Sequence, residues 1–374
     1  MLKIRQGIVL AVLLLIVPLQ SLFAQCAPQI QKIYTAQEHQ KLNQNRPNKN
    51  LAWQPIQHLP DYWNGRWEGY AGAAWYKIEF NYTCHAQSLE PISLVISNIT
   101  MAGQVYLNDD LLWQDQSLTE PLSRSWNAPR QWSIPQSSLK QGQNTLWIKV
   151  IGVSTQPSGL GEVSIGSPQQ ENALYQKYKF ELNTLHIFSF SFSVILGLIG
   201  LVIWLFHRKD HSFLWYAINS FLWAAYLSNV LLREPFLALD TLQYQRLNNI
   251  VFGLYVVATL IYGFSFARIR FRKIQCFLWS AVGISTFFTI VLSEEWVITF
   301  MQISFVFWVV VFLINHTLYP IVAYQSKRKD TYFLAALGWV FVPVAIHDAI
   351  YVLSLEGGVA WSAYVQPVTA NNHC

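Results

Sequence analysis

The chain has 374 residues, of which 53% are apolar and only 12% charged, and its formal net charge is +5. That balance fits a membrane protein carrying a soluble part better than a soluble globule. The excess positive charge sits in short loops between apolar runs and forms no basic stripe interleaved with aromatics, so no nucleic-acid partner is expected.

Residues 1–24 read as a signal peptide. Lys3 and Arg5 give the basic start, the stretch from Ile8 to Val17 gives the apolar core, Pro18 breaks it, and Ala24 precedes the expected cleavage. An uncleaved anchor is the alternative. Residues 25–50 are polar and read as a lead-in, partly helical. Cys26 and Cys84 both fall in the exported part, where oxidation is permitted, and form a candidate disulfide that the sequence alone leaves open. No Cys/His spacing matches a metal site.

Residues 51–167 read as a β-sandwich. Tyr76, Ile78 and Phe80 alternate with Lys77 and Glu79, which assigns the first three to the core face. Ile92, Leu94 and Ile96 repeat the pattern, as do Leu146, Ile148 and Val150. Asn108-Asp109-Asp110 between two apolar strands marks a hairpin, because Asn and Asp tolerate positive φ. Short strands separated by turn residues argue two packed sheets. Residues 168–184 are a polar linker; a stiff one would pass motion onward, a loose one would not.

Residues 185–354 hold six apolar runs: 185–206, 213–232, 250–267, 274–292, 297–324 and 332–354. A bilayer needs roughly 20 apolar residues of helix per crossing. The backbone inside lipid must satisfy itself, so each run is expected to be a helix. The loops after runs one, three and five carry nine Lys or Arg, whereas those after two, four and six carry only Arg233 and Arg246. Cationic loops stay in the cytoplasm, so everything before residue 185 is expected outside, in the periplasm of a bacterium. Residues 355–374 read as a loop and the truncated start of a seventh helix, since they finish on Asn371-Asn372-His373-Cys374.

Gly69-Tyr70-Ala71-Gly72-Ala73-Ala74-Trp75-Tyr76, Val105-Tyr106-Leu107-Asn108-Asp109 and Gly142-Gln143-Asn144-Thr145-Leu146-Trp147-Ile148 together resemble the galactose-binding-like jelly-roll domain of β-galactosidases and β-glucuronidases. Asp109 departs from the glycine common at that hairpin. A jelly roll followed by a helix bundle is similar to the bacterial seven-transmembrane receptors with diverse intracellular signalling modules. The resemblance implies a receptor that binds a small periplasmic molecule, a carbohydrate or carboxylate, and relays this to a cytoplasmic histidine kinase or diguanylate cyclase absent from this sequence. A membrane-tethered binding protein and a transporter are the competing readings. A homodimer is compatible with either, and lipid is the expected surround.

Candidate ligand-binding residues sit in irregular stretches of the exported domain. Trp63, Arg66, Trp67 and Tyr70 form one group, Arg124 and Trp126 the other. Aromatic faces stack on sugars, and a guanidinium forks onto a carboxylate or phosphate. Ordinary core packing or solvated arginines are the plainer readings. In the last run, Pro343 precedes His347 and Asp348, and an ionisable pair inside a membrane run is a functional candidate for coupling. No phosphate-binding glycine loop, G-x-S-x-G, HExxH or kinase signature occurs, so no enzymatic activity is expected of this chain. No lysine lies within the six runs, which disfavours a retinal Schiff base, and no cofactor is expected.

Overall fold

A computed structural model describes residues 28–38, 46–47, 50–67, 69–83, 91–234 and 238–354, with side chains to residue 350. Residues 1–24, read as a signal peptide, together with Cys26, Cys84 and residues 355–374 lie outside the described residues. Cys276 is exposed.

The N-terminal part is built of antiparallel strands: β1 (Gln29–Glu38), β2 (Gln54–Ile56), β3 (Asp61–Tyr62), β4 (Gly72–Tyr82), β5 (Ile92–Ile96), β6 (Ile99–Thr100), β7 (Ala102–Leu107), β8 (Asp110–Gln114), β9 (Arg130–Ile134), β10 (Gly142–Gly152), β11 (Gly159–Leu160) and β12 (Val163–Gly166). One sheet runs β2-β1-β4-β10-β7-β8, and two smaller ones run β3-β11-β6 and β12-β5-β9. The polar stretch read as a lead-in therefore contains a strand. β1 pairs with β4 from Gln29↔Asn81 to Glu38↔Ala73, and its Thr35 and Ala36 are fully buried. Polar composition hid a strand that has a partner on each side.

β4 and β10 form the spine, pairing Tyr76 with Ile148 and Ile78 with Leu146. These side chains share one core with Leu94, Ile96, Leu160 and Ile165. Each large apolar side chain buried there contributes about 1.5–3 kcal/mol. β5 departs from simple alternation, because all five of its residues are buried. Val95 pairs with Ser164, and the Ser164 hydroxyl donates to Glu171 at 2.8 Å. The second face of β5 is thus covered by the helix that follows the strands. At the β7–β8 turn, Asn108 takes φ 52°. Its side chain ties the turn to β10, donating to the Asn144 Oδ1 at 2.9 Å and accepting from the Thr145 amide at 3.1 Å.

The C-terminal part is helical: α1 (Pro168–Lys179), α2 (Leu185–Phe206), α3 (His211–Leu231), α4 (Thr241–Phe266), α5 (Arg272–Val291), α6 (Glu294–Ser326) and α7 (Lys329–Ser354). A π-helical turn, Phe180–Thr184, joins α1 to α2, giving one helix of 39 residues, Pro168–Phe206. The linker is helical throughout and continuous with α2. Among the described residues five helices are long and apolar enough to cross a membrane: that continuous helix, α4, α5, α6 and α7. α3, the second of the six apolar runs read from the sequence, is a helix of 21 residues and is not one of them. It carries Asn219, Ser220, Ser228 and Asn229, and it packs between neighbours: Phe221 lies against Gly197 of α2, and Thr259 of α4 donates to the Asn219 Oδ1 at 2.7 Å. α4 starts earlier than its apolar run, since Asp240 caps it in a reciprocal box with Gln243. Phe206, Phe277, Ile284, Phe287, Ile303 and Ile350 point outward from the bundle. An apolar belt of this kind suits hydrocarbon rather than water.

Candidate functional site

The first predicted group comes together in space. Trp63 occupies a short 3-10 turn after β3 and is 1% exposed. Its indole N–H donates to the Tyr76 hydroxyl at 2.9 Å, and that hydroxyl donates to Asp61 Oδ2 at 2.9 Å. Arg66 closes the network, donating from Nε and Nη2 to Asp61 Oδ1 at 3.1 and 2.9 Å. The Trp67 and Tyr70 rings lie 5.8 and 5.1 Å from Trp63 and 5.6 Å from each other. The Tyr70 hydroxyl donates to the Ala73 carbonyl at 2.7 Å. Burial, and then the Asp61 charge, push the Tyr76 hydroxyl well above its ordinary pKa. Trp63 is therefore a core residue with its donor satisfied. Arg66, Trp67 and Tyr70 form the half-buried rim of the same node.

The second group does not face solvent. Arg124 is 2% exposed and reaches the ends of the helices. Its backbone N–H donates to the Arg233 carbonyl at 2.7 Å. Its guanidinium donates through Nη2 to the Asn229 carbonyl at 2.7 Å and to the Asn229 side-chain oxygen. The guanidinium carbon lies 5.0 Å from the Trp126 ring centre and 4.4 Å from that of Tyr244 in α4. Around it, Ser123 donates to Glu234 at 2.7 Å, the Thr241 amide donates to Glu120 at 3.1 Å, and Gln245 donates to the Thr155 hydroxyl at 2.9 Å. The arginine expected to fork onto a ligand carboxylate instead docks the β domain on α3 and α4.

Behind Arg124 lies a buried ion pair. Arg130 donates to Asp115 Oδ1 at 3.0 Å, Ser125 donates to the same oxygen at 2.6 Å, and the Gly103 amide donates to Oδ2 at 2.8 Å. Arg130 also stacks on Trp113 at 3.7 Å. Burial lowers both arginines to about 10, which leaves them cationic at neutral pH. Burial also raises Asp115, against the opposing pull of Arg130 and the two hydrogen bonds. The sequence offered no local sign of this network, because Asp115, Arg130, Asn229 and Tyr244 come from four separate elements.

The third group lies within α7, which stays helical through Pro343. His347 Nδ1 and Asp348 Oδ1 are 3.1 Å apart, both side chains partly exposed. Nothing in the described residues groups three or more His, Cys, Asp or Glu as metal ligands.

No protein-family model and no curated protein matches the chain. Solved structures do. A β-glucuronidase from an uncultured Clostridium species is 16% identical over 33% of this chain and 22% of that one, with a TM-score of 0.24. A glycosyl hydrolase family 2 member from Bacteroides cellulosilyticus is 15% identical over 38% and 21%, with a TM-score of 0.27. A Ruminococcus gnavus β-glucuronidase is 15% identical over 38% and 29%, with a TM-score of 0.25. The chain spans less than a third of the length of each. The expectation of no enzymatic activity, drawn from missing motifs, is not upheld against this finding: the chains matched are β-glucuronidases and a glycosyl hydrolase family 2 member.

Proposed function

We propose that the chain is a bacterial membrane receptor of the seven-transmembrane type with diverse intracellular signalling modules. In this reading the β domain is a jelly-roll sandwich on the periplasmic side of the cell membrane. It takes a small carbohydrate or carboxylate against Arg66, Trp67 and Tyr70, and the helices carry the event to a cytoplasmic histidine kinase or diguanylate cyclase. The observation that supports the reading is the unbroken helix Pro168–Phe206, packed on β5 and β12 at one end and part of the bundle at the other. A tether needs no such rigid rod, since a flexible polar linker holds a domain equally well.

The test is made on the full chain in nanodiscs, with spin labels at Leu111 of the β domain and Lys209 below the first membrane helix. Neutral monosaccharides and small carboxylates, galactose and glucuronate among them, are titrated while the label separation is recorded. A saturable ligand should shift the distance, and inserting Gly-Gly after Tyr178 should abolish the shift while leaving affinity intact. Saturable binding with no change in separation would reduce the molecule to a tethered binder.

A further inference from the structure

Within the bundle, α2, α3, α4, α6 and α7 line a half-open pocket with about 160 Å³ of accessible space, separate from the ligand site proposed for the β domain. We infer that it binds a neutral single-ring molecule carrying a hydroxyl donor, a phenol in its simplest form. The size sets the first limit, since an engineered cavity of about 150 Å³ in an unrelated protein takes up benzene. The walls set the second. Trp223, Tyr255, Tyr262 and Phe312 offer ring faces, and no Asp, Glu, Lys or Arg lines the space. A charged guest would have no counter-ion there, and burying an unpaired charge is prohibitive.

The polar side chains set the third limit. His316 places Nδ1 2.9 Å from the Phe312 carbonyl, an acceptor that fixes the proton on Nδ1. Nε2 is left as an acceptor on the wall of the cavity. Its ring is held 4.0 Å from that of Phe312, and a Cβ at Gly338 would come within 3.0 Å of it, so the imidazole is confined from both sides. The Thr259 hydroxyl shares its one proton between the Asn219 Oδ1 at 2.7 Å and the Tyr255 carbonyl at 2.9 Å, and Asn219 brings an amide able to donate to the pocket wall. Besides the serine, tyrosine and Asn315 side chains of its walls, the pocket offers His316 as an acceptor and Asn219 as a donor, a pair that fits a ring bearing an O–H, which donates to His316 and accepts from Asn219.

Phenol and benzene are titrated calorimetrically into nanodiscs holding the full chain, with empty nanodiscs as the blank. Phenol should bind saturably, one per chain, and about tenfold more tightly than benzene, the ratio one net hydrogen bond supplies. His316→Phe should close that gap, and Ser193→Phe, which fills the space from α2, should remove binding of both. Phenol uptake no greater than the blank, or benzene binding as tightly as phenol to the unaltered chain, overturns the inference. So does a His316→Phe protein that keeps the difference. The two titrations of the unaltered chain decide the matter even if a variant fails to fold.

Discussion

The Arg124 guanidinium stacks 4.4 Å from the centre of the Tyr244 ring, so a side chain of the β domain rests on the first turn of α4. Its Nε and Nη1 have no hydrogen-bond partner among the described residues. The attachment therefore rests on the Nη2 bonds to Asn229 and on the two aromatic faces. Arg124→Ala should lower stability by about 2–4 kcal/mol, combining a charged hydrogen bond with a desolvated cation–π contact. Arg124→Lys keeps the charge but loses the planar fork, and should recover less than half of that. Thermal melts of the full chain read the loss. Hydrogen exchange should show it concentrated at the outer ends of α3 and α4.

Asp115 and Arg130 form the support behind that contact. Removing one member of a buried pair strands the other, so Asp115→Ala should cost about 3–5 kcal/mol. The pH dependence has a definite sign. Burial raises the folded-state pKa of Asp115 above its ordinary 3.8, so the folded protein keeps this proton longer than the unfolded chain does. The stability contributed by that protonation is complete below about 3.8 and is lost as pH rises through the raised value. Asp115→Asn should flatten this part of the curve when melting is followed from pH 3 to 7.

Trp63 separates a packing role from a binding role. Its side chain fills the core and its N–H is already bound by Tyr76. Trp63→Ala should destabilise the β domain by about 3–5 kcal/mol through the cavity it opens. Trp67→Ala, at the half-buried rim, should cost less stability and weaken any saccharide or carboxylate found to bind. Paired melting and titration curves check both, and the expectation fails if the two variants behave alike.

Sidedness is accessible to protease. In the proposed orientation, a protease added to spheroplasts should cut the β domain and spare the loops holding Arg208, Arg268 and Arg328. Inverted vesicles should give the opposite pattern. Cleavage at those arginines in intact spheroplasts would reverse the orientation, since the positive-inside bias is the argument for it.

The helical half was legible because apolar length alone identifies a crossing, whatever its internal pattern. The exception, α3, shows what length hides: Asn219 is tolerated because Thr259 of α4 donates to it, and Ser220 because it donates to the Tyr216 carbonyl of its own helix. The spine strands β4 and β10 were legible from alternation, whereas β1 was not, because its outward residues are Gln, Lys and Tyr. The aromatic group at Trp63, Trp67 and Tyr70 was found from composition, but the direction of each ring depended on Asp61 and Tyr76. Arg124 stands in an irregular stretch, which suggests a ligand fork or a solvated side chain, and it lies buried against Asn229 instead. Its partner Asn229 lies 105 positions away, and no local pattern marks such a pairing.

The wide turn at Phe180–Thr184 gives the rod a second property. A π-turn holds one residue more than regular α-helix needs there, and such turns recur where function demands irregularity. Smoothing it into α geometry would swivel everything below by about 100°, the angular step of a single helical residue. In the receptor reading proposed above, this turn would set the angular register in which α2 meets its neighbours, with an axial shift of about 1.5 Å accompanying any change.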